Sequence, residues 1–234
     1  MRVMIRLPCR AALLMALSTL AVAALTAAPP TATAATTQAP AVTGQAQAVR
    51  ELPEPPDAVK ARELLAGLVV TAEDDAPGYS RAKFPHWITQ HGTCDTREVV
   101  LQRDGQDVVQ DAQCRAVSGT WYSEYDGKTV ASASGIDIDH IVPLKEAWRS
   151  GASEWSTEER RAFANDLTHS QLIAVSAGSN RAKGDKDPGN WKPSLQSYHC
   201  TYSRAWISVK SDYNLTANPA EVDALSRMLD TCAA

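Results

Sequence analysis

From residue 57 onward the chain switches between helical and strand-like hydrophobic spacing, and the switches mark out a mixed domain. Val59, Leu64, Leu65, Leu68 and Val69 recur at mostly helical intervals behind Asp57, a good N-cap. They predict an amphipathic helix over residues 57–70. Residues 79–91 are mixed, with Phe84 and Trp87 as core anchors and Pro85 as a breaker. Residues 97–103, Arg-Glu-Val-Val-Leu-Gln-Arg, read as a strand ended by an Asp104-Gly105 turn. Aromatic-rich residues 120–125 and residues 128–131 flank Asp126-Gly127 and predict a hairpin.

The next stretch is Gly135-Ile136-Asp137-Ile138-Asp139-His140-Ile141-Val142-Pro143-Leu144. As a strand it sets Ile136, Ile138 and His140 on one face and Asp137, Asp139 and Ile141 on the other. A buried strand would want apolar residues at the acid positions. One reading is an edge strand with solvated aspartates. The other is a strand whose end presents a carboxylate and an imidazole side by side, a pair suited to hold a metal and activate a water.

Residues 144–149 predict a short helix. Ser156-Thr157-Glu158-Glu159 is a capping box for a helix to about Asn165. Residues 171–175 form an apolar strand, and residues 176–184 a helix capped by Ser176 or Ser179. Residues 195–209 are helical in pattern, and Asn218-Pro219 starts a last helix through Leu229. The fold class is α+β: a small antiparallel sheet with helices around it.

The N-terminus adds a compartment. Arg2, Arg6 and Arg10 precede an Ala- and Leu-rich run over residues 11–28, and Ala32-Thr33-Ala34 supplies a cleavage site. This is the layout of a secretory signal peptide over residues 1–34. Residues 35–56, rich in Ala, Thr, Gln and Pro, read as a disordered leader. Residues 57–234 fit one domain. The chain has 23 Lys and Arg against 27 Asp and Glu, and losing the three leader arginines takes the net charge from −4 to −7. Tight non-specific binding to nucleic acid is disfavoured by that balance; a locally basic active site is not. Cys94, Cys114, Cys200 and Cys232 remain after processing. In an exported protein an even count suggests two disulfides, and Cys94–Cys114 with Cys200–Cys232 is the favoured pairing.

Asp139-His140-Ile141-Val142-Pro143, then Asn165, then a short apolar strand, then Asn180-Arg181-Ala182-Lys183 together resemble the HNH endonuclease motif. Cys94-Asp95-Thr96-Arg97 and Trp191-Lys192-Pro193 extend the resemblance to secreted actinobacterial HNH proteins related to the C-terminal domain of GmrSD-type restriction endonucleases. It covers roughly residues 79–210, with the core motif in 135–193. The resemblance implies a strand–strand–helix (ββα-metal) core and hydrolysis of DNA, with RNA as a further substrate, at low sequence selectivity. His140 is then the general base, and Asn165 ties the loop and orients the histidine segment. Asp139 and Asn180 are ligands of a divalent cation, magnesium first and manganese second. Arg181, Lys183 and Lys192 are the candidate phosphate contacts. Asp137 has no assigned role; a salt bridge to Arg181 or Lys183 is its first reading. No membrane association is expected after processing, and no protein partner is implied. The alternatives are an inactive exported nucleic-acid-binding module on the same scaffold, or a phosphodiesterase with another substrate.

Overall fold

The computed structural model describes residues 52–233. The expected signal peptide and most of the expected leader lie outside them. Residues 52–56 belong to the folded unit: Pro55 is buried, and Arg204 donates to the carbonyls of Pro55 and Pro56 at 2.8 and 2.5 Å. Prolines offer carbonyls without competing N–H donors, so one guanidinium clamps the segment.

In chain order the elements are α1 (Ala58–Gly67), β1 (Thr89–His91), β2 (Cys94–Asp95), α2 (Thr96–Asp104), β3 (Gly105–Gln110), β4 (Ala116–Ser123), β5 (Lys128–Val130), β6 (Ile136–His140), α3 (Leu144–Ala147), α4 (Thr157–Ala164), β7 (Leu172–Ser176), α5 (Ala177–Lys183), α6 (His199–Asp212) and α7 (Pro219–Leu229). The class is α+β as expected. The strands form three small antiparallel sheets, β1–β2, β3–β4–β5 and β6–β7, rather than one.

The largest departure is α2, expected as a strand. Its local β-branched run is overridden by a cap and a face. Asp95 accepts from the Glu98 N–H at 2.9 Å, and Val100 and Leu101 turn inward onto Trp121, Ile136 and Ile138. The expected Asp104-Gly105 turn is instead the junction of α2 with β3. There a Cβ on Gly105 would collide with the Val108 and Trp121 side chains. The end of α2 also explains why β7 gains no further strand. Asp104 accepts from the Ala174 N–H at 2.8 Å, and Arg103 donates to the Leu172 carbonyl. Side chains satisfy the edge that another strand would have paired.

The β6–β7 hairpin is in register from Ile136 opposite Ser176 to His140 opposite Leu172, and α5 follows at once, capped by Ser176. The even-numbered face of β6 packs Ile136 and Ile138 toward α2. Below the hairpin, α6 contributes Tyr202, Ala205, Trp206 and Val209 to the larger core. Both capping boxes form, Ser156 with Glu159 and Asn218 with Glu221, and both disulfides pair as favoured. No helix among the described residues is long and apolar enough to cross a membrane.

Asp126, in the β4–β5 turn, anchors the start of α5. It accepts from the Ser176 hydroxyl at 2.8 Å and pairs with Lys128 at 2.9 Å. Burial works to raise its pKa, but the Lys128 and serine hydrogen bonds outweigh it and hold the carboxyl at about 2. The folded pKa is depressed, so this stabilisation is complete above the ordinary value of 3.8 and is lost as pH falls toward 2. Asp126→Asn is expected to cost about 1–2 kcal/mol at pH 7 and to flatten the fall of Tm between pH 4 and pH 2. Calorimetry on both proteins checks this; parallel acid limbs would contradict it.

Candidate functional site

The site is built on the last two residues of β6. Strand alternation sends their side chains to opposite faces. His140 leaves with the even face and is 5% exposed. Its ring stacks on Trp87 at 5.8 Å, and its Nε2 donates at 3.0 Å to the carbonyl of Ala164, the last residue of α4. A carbonyl only accepts, so Nε2 carries the proton and Nδ1 keeps a lone pair. Burial pushes the imidazole down to about 3. The Ala164 hydrogen bond opposes this, and the Arg81, Lys183 and His86 charges add to it. The ring is therefore neutral at physiological pH. Trp87 holds a left-handed backbone, φ 58°, which for a bulky residue costs on the order of 1 kcal/mol or more.

On the odd face, Asp139 is 5% exposed and clamped. Its Oδ2 accepts from the Tyr125 hydroxyl at 2.5 Å and from the Lys183 ammonium at 2.7 Å. Lys183 is fully buried and also donates to the His140 carbonyl at 2.7 Å. Burial pushes the Asp139 carboxyl up and the Lys183 ammonium down, and their contact opposes both. Asp137 accepts from Asn180 Nδ2 at 3.1 Å. That bond turns the Asn180 amide nitrogen toward Asp137 and leaves its Oδ1 as an acceptor. Asp137 also raises Asp139 through its charge.

Among the described residues no three His, Cys, Asp or Glu side chains gather as a metal cage. The donors present here are two carboxylates and an amide oxygen. All are hard oxygen ligands, and they suit a cation that keeps most of its own water, as magnesium does. The donor set fits the implied cation, with Asp137 added to the expected Asp139 and Asn180.

Asn165 spends every side-chain hydrogen bond on scaffold. Oδ1 accepts from Thr96 Oγ1 at 2.7 Å and the Ile88 N–H at 3.1 Å; Nδ2 donates to the carbonyls of Pro85 and Arg161 at 2.7 and 2.8 Å. It staples the segment that carries Trp87 to α4, and so bears on the histidine through Trp87. The loop after His140 is tied instead by Gln171. Its Oε1 accepts from the Val142 N–H at 3.1 Å and its Nε2 donates to the Val142 carbonyl at 3.0 Å, with no part of the residue exposed. Gln171→Ala would leave both backbone groups buried and unpaired. The expected cost is about 2–4 kcal/mol, with a loosened His140 segment. Urea unfolding measures the cost, and an unchanged midpoint would contradict it.

The structure thus brings Asp137, Asp139, Asn180 and Lys183 together, and sets His140 on the opposite face of the same strand end. The carboxylate and imidazole do not stand side by side. Lys183, expected as a phosphate contact, is an internal counter-ion without solvent access; only the tertiary approach of α5 to Tyr125 and Asp139 reveals that. Arg181 and Lys192 are exposed. Missed from the sequence are Arg81 and His86, which hydrogen-bond each other at 3.3 Å and both act on the His140 charge. They lie more than fifty residues upstream with no motif of their own.

The chain matches the model of a family described as GmrSD restriction endonucleases, C-terminal domain, over residues 96–228. A relative described as an uncharacterized secreted protein of Arthroderma benhamiae is 57% identical over 180 residues, covering 77% of this chain and 88% of its own. No solved structure matches. Secretion accords with the two disulfides.

Proposed function

From the premise that the chain belongs to the family of GmrSD restriction endonuclease C-terminal domains, a nuclease-type family, we propose that it is a secreted endonuclease. It hydrolyses phosphodiester bonds of DNA at low sequence selectivity, with RNA as a second substrate, and its site is the end of β6 with α5, a ββα-metal core. The observation that carries the reading is the Ala164 carbonyl on His140 Nε2, which leaves Nδ1 as a fixed acceptor at the strand end that also carries the Asp139 clamp on its other face.

His140 Nδ1 takes the proton of an attacking water; the Ala164 carbonyl on Nε2 keeps its lone pair free for it. Trp87 and Ala164 fix the ring plane. Asp137, Asp139 and Asn180 would hold magnesium or manganese, and the cation, when bound, supplies charge stabilisation at the phosphate and the departing oxygen. Tyr125 and Lys183 hold the Asp139 carboxylate in one orientation. Arg81 and Arg181 neutralise the scissile phosphate, and Lys192 contacts the strand further out.

End-labelled DNA and RNA oligonucleotides, incubated with magnesium, manganese or chelator, test the proposal. The expected result is cleavage with either metal and none in chelator. DNA products are expected to carry 5′-phosphate and 3′-hydroxyl ends that a ligase rejoins. Intact substrates in every condition would refute the nuclease; cutting in chelator would refute the cation.

A further inference from the structure

A groove of about 560 Å³ opens between the loop after α5 and the outer face of α7. Trp191, Lys192, Asn190, Gln196, Arg227 and Met228 line it. In a chain with 27 acidic side chains, none of the lining residues is a carboxylate, while two are permanent cations. Lys192 and Arg227 are exposed and have no hydrogen bond or ion pair with any described residue. Asn190 gives its Nδ2 to Asp187 at 2.9 Å and keeps its amide oxygen. Trp191 is half-buried: its ring packs edge-to-face on Tyr125 at 5.1 Å and Tyr202 at 6.0 Å. The same Tyr125 donates to Asp139. One buried aromatic ring therefore joins the wall of the groove to the carboxylate of the candidate site. Gly189 keeps the loop against the start of α7, since a Cβ there would lie 3.2 Å from the Ala220 backbone.

We propose that this groove is a binding subsite for an unpaired nucleic-acid strand, taking nucleotides that flank the cleaved bond. An aromatic side chain among cations and amides matches the chemistry of a strand whose bases are free to stack. Every base has a face for Trp191, and the phosphates have Lys192 and Arg227. A duplex hides its base faces and would use the cations alone. The inference rests on the nuclease reading for its biological sense, but its binding test does not require cleavage.

The probe is a fluorescein-labelled twelve-nucleotide single strand, its binding followed by polarisation in chelator. Arg227→Glu and Lys192→Glu are measured beside Lys60→Glu, an equal charge change on the exposed outer surface of α1. Arg227→Glu and Lys192→Glu are each expected to weaken binding tenfold or more, and Lys60→Glu less than twofold. Circular dichroism verifies that each variant is folded. If both groove variants bind no worse than Lys60→Glu, or the wild type does not bind, the subsite is overturned. The same strand is then offered with magnesium. A wild type that cuts while the groove variants bind normally refutes the subsite and keeps the nuclease; one that binds through Arg227 and never cuts does the reverse.

Discussion

His140→Ala is expected to lower the rate of phosphodiester cleavage by about 10²–10⁴-fold, the usual contribution of a general base. A backbone carbonyl at 3.0 Å fixes the proton on Nε2, and a tryptophan face fixes the ring, so Nδ1 is the acceptor. Truncation removes that acceptor and also one hydrogen bond and a stacking contact. A folding loss of about 1–3 kcal/mol therefore accompanies it. Two readouts separate chemistry from folding. Circular dichroism gives the folded fraction at the assay temperature. Added imidazole should restore part of the rate in His140→Ala, because the vacated space admits the missing base; a role limited to packing predicts no pH-dependent rescue. Wild-type rates in folded His140→Ala would remove His140 from the chemistry.

The largest stability effect is expected at Lys210, away from the reacting groups. Its ammonium is fully buried in α6 and donates to Glu146 at 2.8 Å, Ser150 Oγ at 2.7 Å, the Thr216 carbonyl at 2.7 Å and Glu221 at 3.2 Å. Glu146 and Glu221 are themselves fully buried, and Trp206 donates to Glu221 at 2.5 Å. One cation thus joins α3, α6 and α7 beneath the loop that leaves His140. Lys210→Met keeps much of the volume but takes the shared cation from two buried carboxylates, leaving Glu146 with Ser150 and with Arg149 at 3.5 Å, and Glu221 with Trp206 and the Asn218 N–H. Breaking a buried pair from one side costs about 3–5 kcal/mol, which for a domain of this size lowers Tm by roughly 10–15 °C. Lys60→Met is the contrast: its partner Glu63 and it are both more than half exposed, and the expected loss is under about 1 kcal/mol. Differential scanning calorimetry of both variants checks the pair of values. Equal Tm shifts would show that the buried network does not carry the load assigned to it.

What the residues alone revealed was local chemistry. The alternation Ile-Asp-Ile-Asp-His fixed the two faces of β6 correctly, because a strand has no other period. Ser156 with Glu159, and Asn218 with Glu221, announced their helices because a capping box is closed within four residues. The order strand, strand, Asn-containing helix was likewise visible. Failures came where distant residues decide. Val99, Val100 and Leu101 favour a strand by themselves, yet Trp121 and β6 offer them a surface that a helix fits. Lys183 looked like a surface cation two residues after a second one, Arg181, and only the fold brings it to Asp139. Asn165 and Gln171 are both amides near the second strand. Which one holds Val142 depends on a loop closure across nearly thirty residues, and no spacing rule encodes it.

In the proposed site Asp137, Asp139 and Asn180 would hold a cation that works with His140 on a phosphodiester. The magnesium dependence of supercoiled-plasmid nicking, followed for wild type and Asn180→Ala in parallel, tests this cation site. Asn180 is half-buried, and its one side-chain bond among the described residues is to Asp137, so the variant is expected to keep its fold. Saturable, magnesium-dependent nicking is expected of the wild type, and a variant at least about tenfold less active or in need of far more magnesium. Nicking by Asn180→Ala with the wild-type rate and magnesium midpoint would contradict it.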